Sequence, residues 1–354
     1  MLKFVLLMTI SIINCSSASA LVNDTRNHYP SSYSVPLGKM AMDWDYRLYW
    51  LEDQKGQKWG LMVNTLRTAS HILIPSFPFW LPYFNDNDQL QVLLFNVTTG
   101  EHWYDEWNGK VDSSLLYRDS RSRISRAGLN NSVNINGSKF SIKIDAVGTK
   151  PKAFFEDYPH GVKGVINNGM AGKAPYVSQT GVVAHGEVCL KKGCFKVSGR
   201  QWLDRQWMLN DILKNLSLKP AWQWFAVLLE GDRELMLYTM WDSGSGRHIK
   251  TFGALMDGDK LRPLNPKQIT ITPTKTKSEM GMRYATSWNL SLVMPNSSKF
   301  DFTLKYLVKS PWYHSKSSFI KQSYLEGPCG NSSSKAVLKA WCEQVDFNWF
   351  KPGI

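Results

Sequence analysis

Apolar and polar residues alternate with a period of two along much of this chain. Phe140-Ser-Ile-Lys-Ile-Asp-Ala-Val147, Ile269-Thr-Ile-Thr272, Trp288-Asn-Leu-Ser-Leu-Val-Met294 and Phe300-Asp-Phe-Thr-Leu-Lys-Tyr-Leu307 each place their large side chains on one face, as strands with one wet face do. Turn signals at Asn136-Gly137, Lys192-Gly193, Glu230-Gly231-Asp232, Gly244-Ser-Gly246 and Asp257-Gly258-Asp259 separate the runs at short intervals. Helical periodicity is scarce, with Leu209 to Leu216 and Ser334 to Glu343 as the better candidates. Many short strands joined by tight turns predict an all-β chain of antiparallel barrels or sandwiches.

At 354 residues the chain has room for about two domains. Its composition shifts between Asn210 and Pro220. Before the shift lies an aromatic-rich half with Asp43-Trp44-Asp45-Tyr46 and the proline-rich stretch Ile74 to Pro82. After it, Trp222 to Leu229, a turn at Gly231, and Glu234 to Trp241 read as a strong hairpin. Both halves are β-rich and of barrel size, so the simplest architecture is two barrels in tandem, meeting near residues 209–221.

The first twenty residues have Lys3 as a positive start, an apolar run from Phe4 to Ile13, and Ala18-Ser19-Ala20 before Leu21. This is the pattern of a secretory leader, residues 1–20, with an apolar core too short to span a membrane. Cys15 offers lipid anchoring as an alternative, but Asn14 stands where that signal wants a small residue. The expectation is an exported protein, periplasmic or secreted. Four cysteines then remain, and an even count in an exported chain suggests disulfides. Cys189 and Cys194 flank a Lys192-Gly193 turn and are expected to bridge, leaving Cys329 and Cys342 to pair by elimination.

The formal net charge is +13. The basic residues are scattered among aromatic and acidic neighbours without a block of five or six, and export also argues against nucleic acid as a partner. A solvated surface drawn to anionic lipid or polysaccharide, with peripheral membrane contact, is the plainer reading. No Walker loop, G-x-S-x-G or H-E-x-x-H motif occurs, so no nucleotide, serine-hydrolase or zincin chemistry is supported. His185 and Glu187 share a strand face but lack a third ligand at a telling spacing, so neither metal nor cofactor is expected.

The stretch Gly199-Arg-Gln-Trp-Leu-Asp-Arg-Gln-Trp-Met208 sets one acid, Asp204, between Trp202 and Trp207, with Arg200 and Arg205 close by. A carboxyl between indoles is costly unless paired, hydrogen-bonded or protonated. Two readings stay open. Asp204 is a proton donor whose pKa is held up by burial, with Trp202, Trp207 and Tyr176 stabilising a cation through their π faces. Alternatively it is structural, bonding a neighbouring turn or an arginine, and Arg200 or Arg205 nearby would keep it ionised.

Gly199-Arg-Gln-Trp-Leu-Asp-Arg-Gln-Trp207, Trp222-Gln-Trp224-Phe225, Gly231 to Tyr238 and Tyr324-Leu-Glu-Gly327, with Tyr176-Val-Ser178 and Trp44-Asp-Tyr46 as looser matches, resemble the CrtC/AttH-like double-lipocalin family. The resemblance covers residues 43–327, with Met208 and Leu325 departing from the family pattern. It implies two lipocalin-like (calycin) antiparallel β-barrels, here 21–215 and 216–354, and a ligand site in or beside the first near the junction. It also implies hydration, dehydration or cyclisation of an apolar polyene or prenyl molecule, as in carotenoid 1,2-hydratase (hydroxyneurosporene synthase) and kievitone hydratase. Asp204 and Trp202 fall on the positions carrying acid function in the hydratase branch. Tyr176, Ser178, Arg205, Trp207, Trp222 and Trp224 are the expected ligand-binding residues. A non-catalytic lipid carrier or envelope protein using the same cleft is the alternative.

Overall fold

A computed structural model describes residues 40–68, 88–111, 117–167, 173–209, 220–279, 282–294, 299–307, 312–314, 319–328 and 337–346. The leader, Cys15, Cys329 and most of the Leu209 to Leu216 segment lie outside the described residues.

The first sheet begins with the long strands β1 (Met40–Asp53), β2 (Lys58–Thr68), β3 (Asp88–Asn96) and β4 (His102–Val111). It continues through β5 (Tyr117–Arg118), β6 (Ser122–Ala127), β7 (Asn130–Asn136) and β8 (Phe140–Gly148). The short β9 (Ala153–Phe154) and β10 (Val165–Asn167) precede its two longest strands, β11 (Lys173–Leu190) and β12 (Gly193–Leu209). Neighbours pair antiparallel in the order β10-β11-β12-β1-β2-β3-β4-β5-β6-β7-β8, and β8 pairs back onto β11, which closes the ring into a barrel. Closure removes the exposed sheet edge.

The second sheet contains β13 (Pro220–Leu228), β14 (Arg233–Asp242), β15 (His248–Asp257), β16 (Lys260–Pro263) and β17 (Ile269–Glu279). Then come β18 (Met282–Val293), β19 (Lys299–Tyr306), β20 (Trp312–His314), β21 (Phe319–Pro328) and β22 (Val337–Asp346). Its order is β16-β15-β14-β13-β22-β21-β19-β18-β17. Alternation divides the apolar side chains among three cores. Tyr49, Leu61, Val92, Ile142 and Ala184 fill the first barrel, and Phe225, Leu237, Trp288, Leu304 and Cys342 line the inside of the second sheet. Leu48, Trp50, Phe95, Trp202, Trp224 and Trp341 lie on the opposite faces and pack the two sheets together.

The period-two segments all form strands, and the hairpin across Gly231 is β13–β14, with Gly231 (φ 68°) and Asp232 (φ 57°) in the left-handed region. The helix expected over Ser334 to Glu343 is not formed: Val337–Asp346 is β22, hydrogen-bonded on both sides to β13 and β21. Leu338, Ala340 and Cys342 face the inside of the second sheet while Trp341 faces the first. A strand buried on both faces loses its polar alternation and imitates a buried helix.

Cys189 and Cys194 are bonded and sit opposite each other at the end of the β11–β12 hairpin. Glu187 lies near these sulfurs, but they are bonded to one another, and its carboxylate pairs with Lys196 at 2.9 Å. The expected Cys329–Cys342 bridge is not seen at Cys342, and Cys329 lies outside the described residues. Cys342 is a free, fully buried thiol whose ladder partner is Ser323, whereas β21 ends at Pro328, opposite Val337. Burial pushes the Cys342 thiol well above its ordinary pKa, and Glu343 pushes the same way. Among the described residues, no helix is long and apolar enough to cross a membrane.

Candidate active site

Asp204 lies on β12 between two strands that determine its neighbours. Ser178 of β11 is directly opposite on one side and Tyr46 of β1 on the other. Strand alternation sends Trp202 and Asp204 to the face that meets the second sheet, and Gln201, Leu203 and Arg205 into the barrel. On β11 the same outward direction depends on a bulge. Gln179 pairs with Leu203, but the next pair is Val182 with Gln201, so Thr180 and Gly181 together stand opposite Trp202 and β11 carries one extra residue. Gly181 adopts φ 62°, and the one extra residue reverses the alternation. After the bulge, Val182 and Ala184 point into the barrel; before it, Tyr176 and Ser178 point to the sheet interface.

The result is a closed hydrogen-bond cluster around one carboxyl. Trp202 Nε1 donates to Asp204 Oδ1 at 2.6 Å, Ser178 Oγ donates to the same oxygen, and the Tyr176 hydroxyl donates to Oδ2. From the second sheet, Trp224 Nε1 donates to the Tyr176 hydroxyl at 2.9 Å. The Trp224 ring stands edge-on to Trp202 (centroids 6.0 Å apart, 85° between planes) and to Tyr46 (6.1 Å, 80°). Trp222 has its Nε1 3.0 Å from Glu343 on β22.

Asp204 is 3% exposed. Burial pushes its carboxyl up to about 7; the hydrogen bonds from Ser178, Tyr176 and Trp202 pull the other way, and Glu343 adds to the rise. The two arginines of the sequence motif do not oppose this. Arg205 is on the barrel side of β12, and Arg200 reaches Glu234 at 3.1 Å in a cross-sheet ion cluster with Lys150. Burial and the neighbouring Asp204 also push the Tyr176 hydroxyl well above its ordinary pKa. The site therefore contains a carboxyl that is partly protonated near neutral pH, held rigidly among aromatic faces, with three donors ready for its ionised form.

Of the residues singled out in the sequence, Tyr176, Ser178, Trp202, Asp204, Trp222 and Trp224 are gathered on the interface between the sheets. Arg205 is not: it faces away from the Asp204 carboxyl, into the barrel. Trp207 lies near the end of β12, opposite Asp43, and its side chain lies outside the described residues. Sequence reasoning did not assign Tyr46 or Glu343 to the site. Counting by twos from Leu48 and Trp50 would have put Tyr46 on the interface face, but its position opposite Asp204 depends on strand pairing.

Residues 32–342 match the AttH-like family. The chain belongs to the AttH-like family. No curated protein matches it. Among solved structures, it is similar to an AttH protein of Nitrosomonas europaea, with 17% identity and a TM-score of 0.71, covering 90% of this chain and 96% of that one. It is also similar to kievitone hydratase from Nectria haematococca, with 14% identity and a TM-score of 0.61 over 96% and 94% of the two chains. A third neighbour is CghA, solved with Sch210972, at 10% identity and a TM-score of 0.52 over 86% and 89%. At these identities the likeness establishes the AttH-like fold, tandem lipocalin-like antiparallel barrels.

Proposed function

We propose that this AttH-like protein is an acid catalyst that adds water to, removes water from, or cyclises an apolar alkene-bearing molecule bound at the sheet interface. The observation that carries this reading is the Asp204 carboxyl: buried among indole rings, with no cationic partner among the described residues, and raised to about 7. In the hydration direction, the Asp204 O–H gives its proton to one alkene carbon, and the alkene π electrons form the new C–H bond. The adjacent carbon becomes cationic and faces the π clouds of Trp202, Trp224 and Tyr46. Water attacks that carbon, and its surplus proton returns to the Asp204 carboxylate, so alkene plus water becomes alcohol. Tyr176, Ser178 and Trp202 stabilise the carboxylate while it waits for that proton. Two structural neighbours support the reading by analogy of fold: one is named a hydratase, and the other was solved with Sch210972.

The protein works outside the reducing cytosol on this reading, because disulfides such as Cys189–Cys194 persist in oxidising compartments. The test pairs a panel of prenylated phenols and acyclic polyenes with wild type and Asp204→Asn in heavy water. Mass spectrometry would look for products carrying one added water and one carbon-bound deuterium. Infrared titration would separately follow the Asp204 C=O band. If that band is absent at pH 6, Asp204 is ionised when an acid is needed and the proposal fails. Bound apolar molecule with no turnover in any arm would favour a carrier.

A further inference from the structure

Glu234 of β14 reaches from the second sheet to the first barrel. It shares a strand face with Met236, which packs against the first sheet, and it is 1% exposed. Its Oε2 accepts from Lys150 Nζ at 2.7 Å and from the Thr180 hydroxyl at 3.3 Å, and its Oε1 accepts from Arg200 Nη2 at 3.1 Å. Lys150, on the segment that follows β8, is itself 5% exposed and also donates to the Asp232 carbonyl. Beside it, Thr149 donates to the Gly181 carbonyl through its backbone N–H at 2.9 Å and through its hydroxyl. Thr180 and Gly181 together form the β11 bulge opposite Trp202. One carboxylate of the second sheet therefore holds that bulge directly, through Thr180, and indirectly, through the Lys150 segment bonded to Gly181.

The place of the bulge decides which way the start of β11 faces. β11 pairs regularly with β12 on both sides of it, so the ladder alone does not fix where along the strand the extra residue falls. A bulge nearer the start of β11 would reverse every residue between the two positions, as a one-residue slip does, and would turn Ser178 into the barrel, away from Asp204. Desolvation offsets much of the attraction within a buried ion cluster, and the best-attested use of such a cluster is to select a register. What most moves the Asp204 carboxyl is its burial, its bonds from Ser178, Tyr176 and Trp202, and Glu343, not the charge of Glu234.

We infer that Glu234 is a positioning residue: by holding Thr180 and Lys150 it fixes the bulge that turns Tyr176 and Ser178 toward the Asp204 carboxyl. The second sheet thereby sets the geometry of an acid in the first barrel. The consequence for turnover rests on the reading of Asp204 as a proton donor, whereas the geometry does not. Position and charge would act on Asp204 with opposite signs. Loss of a negative charge lowers the pKa of a carboxyl near it, but withdrawal of Tyr176 and Ser178 removes bonds to the carboxylate and raises it.

The experiment compares the full chain with Glu234→Gln, which removes the charge, and with Thr180→Val, which removes one bond and leaves the Lys150 pair intact should the first variant fail to fold. Glu326→Gln is the control, since the Lys58–Glu326 ion pair at 2.7 Å also joins the two sheets but does not involve the bulge. Indole N–H resonances of isotope-labelled tryptophan follow Trp224, whose acceptor is the Tyr176 hydroxyl, whatever the charge on Asp204. Infrared titration follows Asp204 itself. The Trp224 resonance should shift and the Asp204 midpoint should rise above about 7 in both test variants, less in Thr180→Val, with neither moving in the control. A Trp224 resonance at its wild-type place in the folded test variants overturns the inference, whether or not Asp204 titrates near neutral pH. A midpoint that falls overturns it as an effect of charge alone, and a control that moves both readouts equally overturns it as a general loosening of the sheets. A wild-type Asp204 found ionised where an acid is needed would defeat the proton-donor reading instead, and the Trp224 resonance would still decide the role of Glu234.

Discussion

The Trp224 indole of the second sheet donates to the Tyr176 hydroxyl of the first, and that hydroxyl donates onward to Asp204. One hydroxyl therefore links the association of the sheets to the protonation of the buried carboxyl. A change on either side of the interface should be felt at Asp204.

Tyr176→Phe tests this link. It leaves the Trp224 N–H without its acceptor in a buried place, which should cost about 1–3 kcal/mol of stability. It also removes one of the three bonds that pull the Asp204 pKa down, so the carboxyl should titrate above its present value of about 7. Infrared titration should show the midpoint moving up, and any acid-dependent activity should persist to higher pH. A midpoint that moves down would mean that Tyr176 does not stabilise the carboxylate.

Asp204→Asn keeps the shape and removes the transferable proton. Turnover should fall by roughly 10²–10⁴, the usual contribution of a general acid. Linkage supplies a second signature. The folded pKa of about 7 lies above the ordinary 3.8, so the folded state holds the proton more tightly. The contribution of the acid to stability is then full below about pH 4, is lost as pH rises toward 7, and is flat above that. Denaturant titrations should show the wild-type advantage over the Asn variant shrinking across that window. A constant difference would mean that Asp204 is not held protonated.

Much of the fold was legible because alternation along single-faced strands such as Phe140 to Val147 is a local property. The strand Val337–Asp346 was not, because it is buried on both sides and its neighbours, rather than its own pattern, decide its state. The aromatic and hydroxyl members of the site were legible as residue types. Whether the motif arginines meet Asp204 was not: chain proximity suggested Arg200 and Arg205, but alternation turns Arg205 into the barrel and Glu234 engages Arg200. The convergence of Tyr176 and Ser178 on Asp204 depends on the one-residue bulge at Thr180-Gly181, whose effect on register appears only when the strands pair.

Gly181 should therefore tolerate substitution poorly. Its φ of 62° is left-handed, and a Cβ there would meet the Lys150 side chain at 2.7 Å. Lys150 has little freedom to yield, since its Nζ is held by Glu234 at 2.7 Å. Gly181→Ala should cost at least about 1–2 kcal/mol from the backbone alone. If the bulge shifts to relieve the strain, Tyr176 and Ser178 turn away and the Asp204 pKa rises. A variant with wild-type melting and an unchanged Asp204 titration would show that the bulge does not require glycine.

Trp341 should reveal how strongly the two sheets depend on one another. It belongs to the second sheet but faces the first, edge-on to Trp50 at 6.1 Å and 5.5 Å from Phe95, while Trp50 Nε1 donates to the Ala340 carbonyl at 3.2 Å. Trp341→Ala opens a cavity between the sheets rather than inside either one. The loss should be about 3–5 kcal/mol, the range for deleting a large buried aromatic, and it should fall on sheet association. Calorimetry should then resolve two transitions where the wild type melts in one, with Trp341→Phe intermediate. The Trp224–Tyr176 bond spans the same interface, so the Asp204 titration should broaden in the Ala variant as the sheets loosen. A single transition with an unaltered Asp204 titration would mean that Trp341 stabilises only its own sheet.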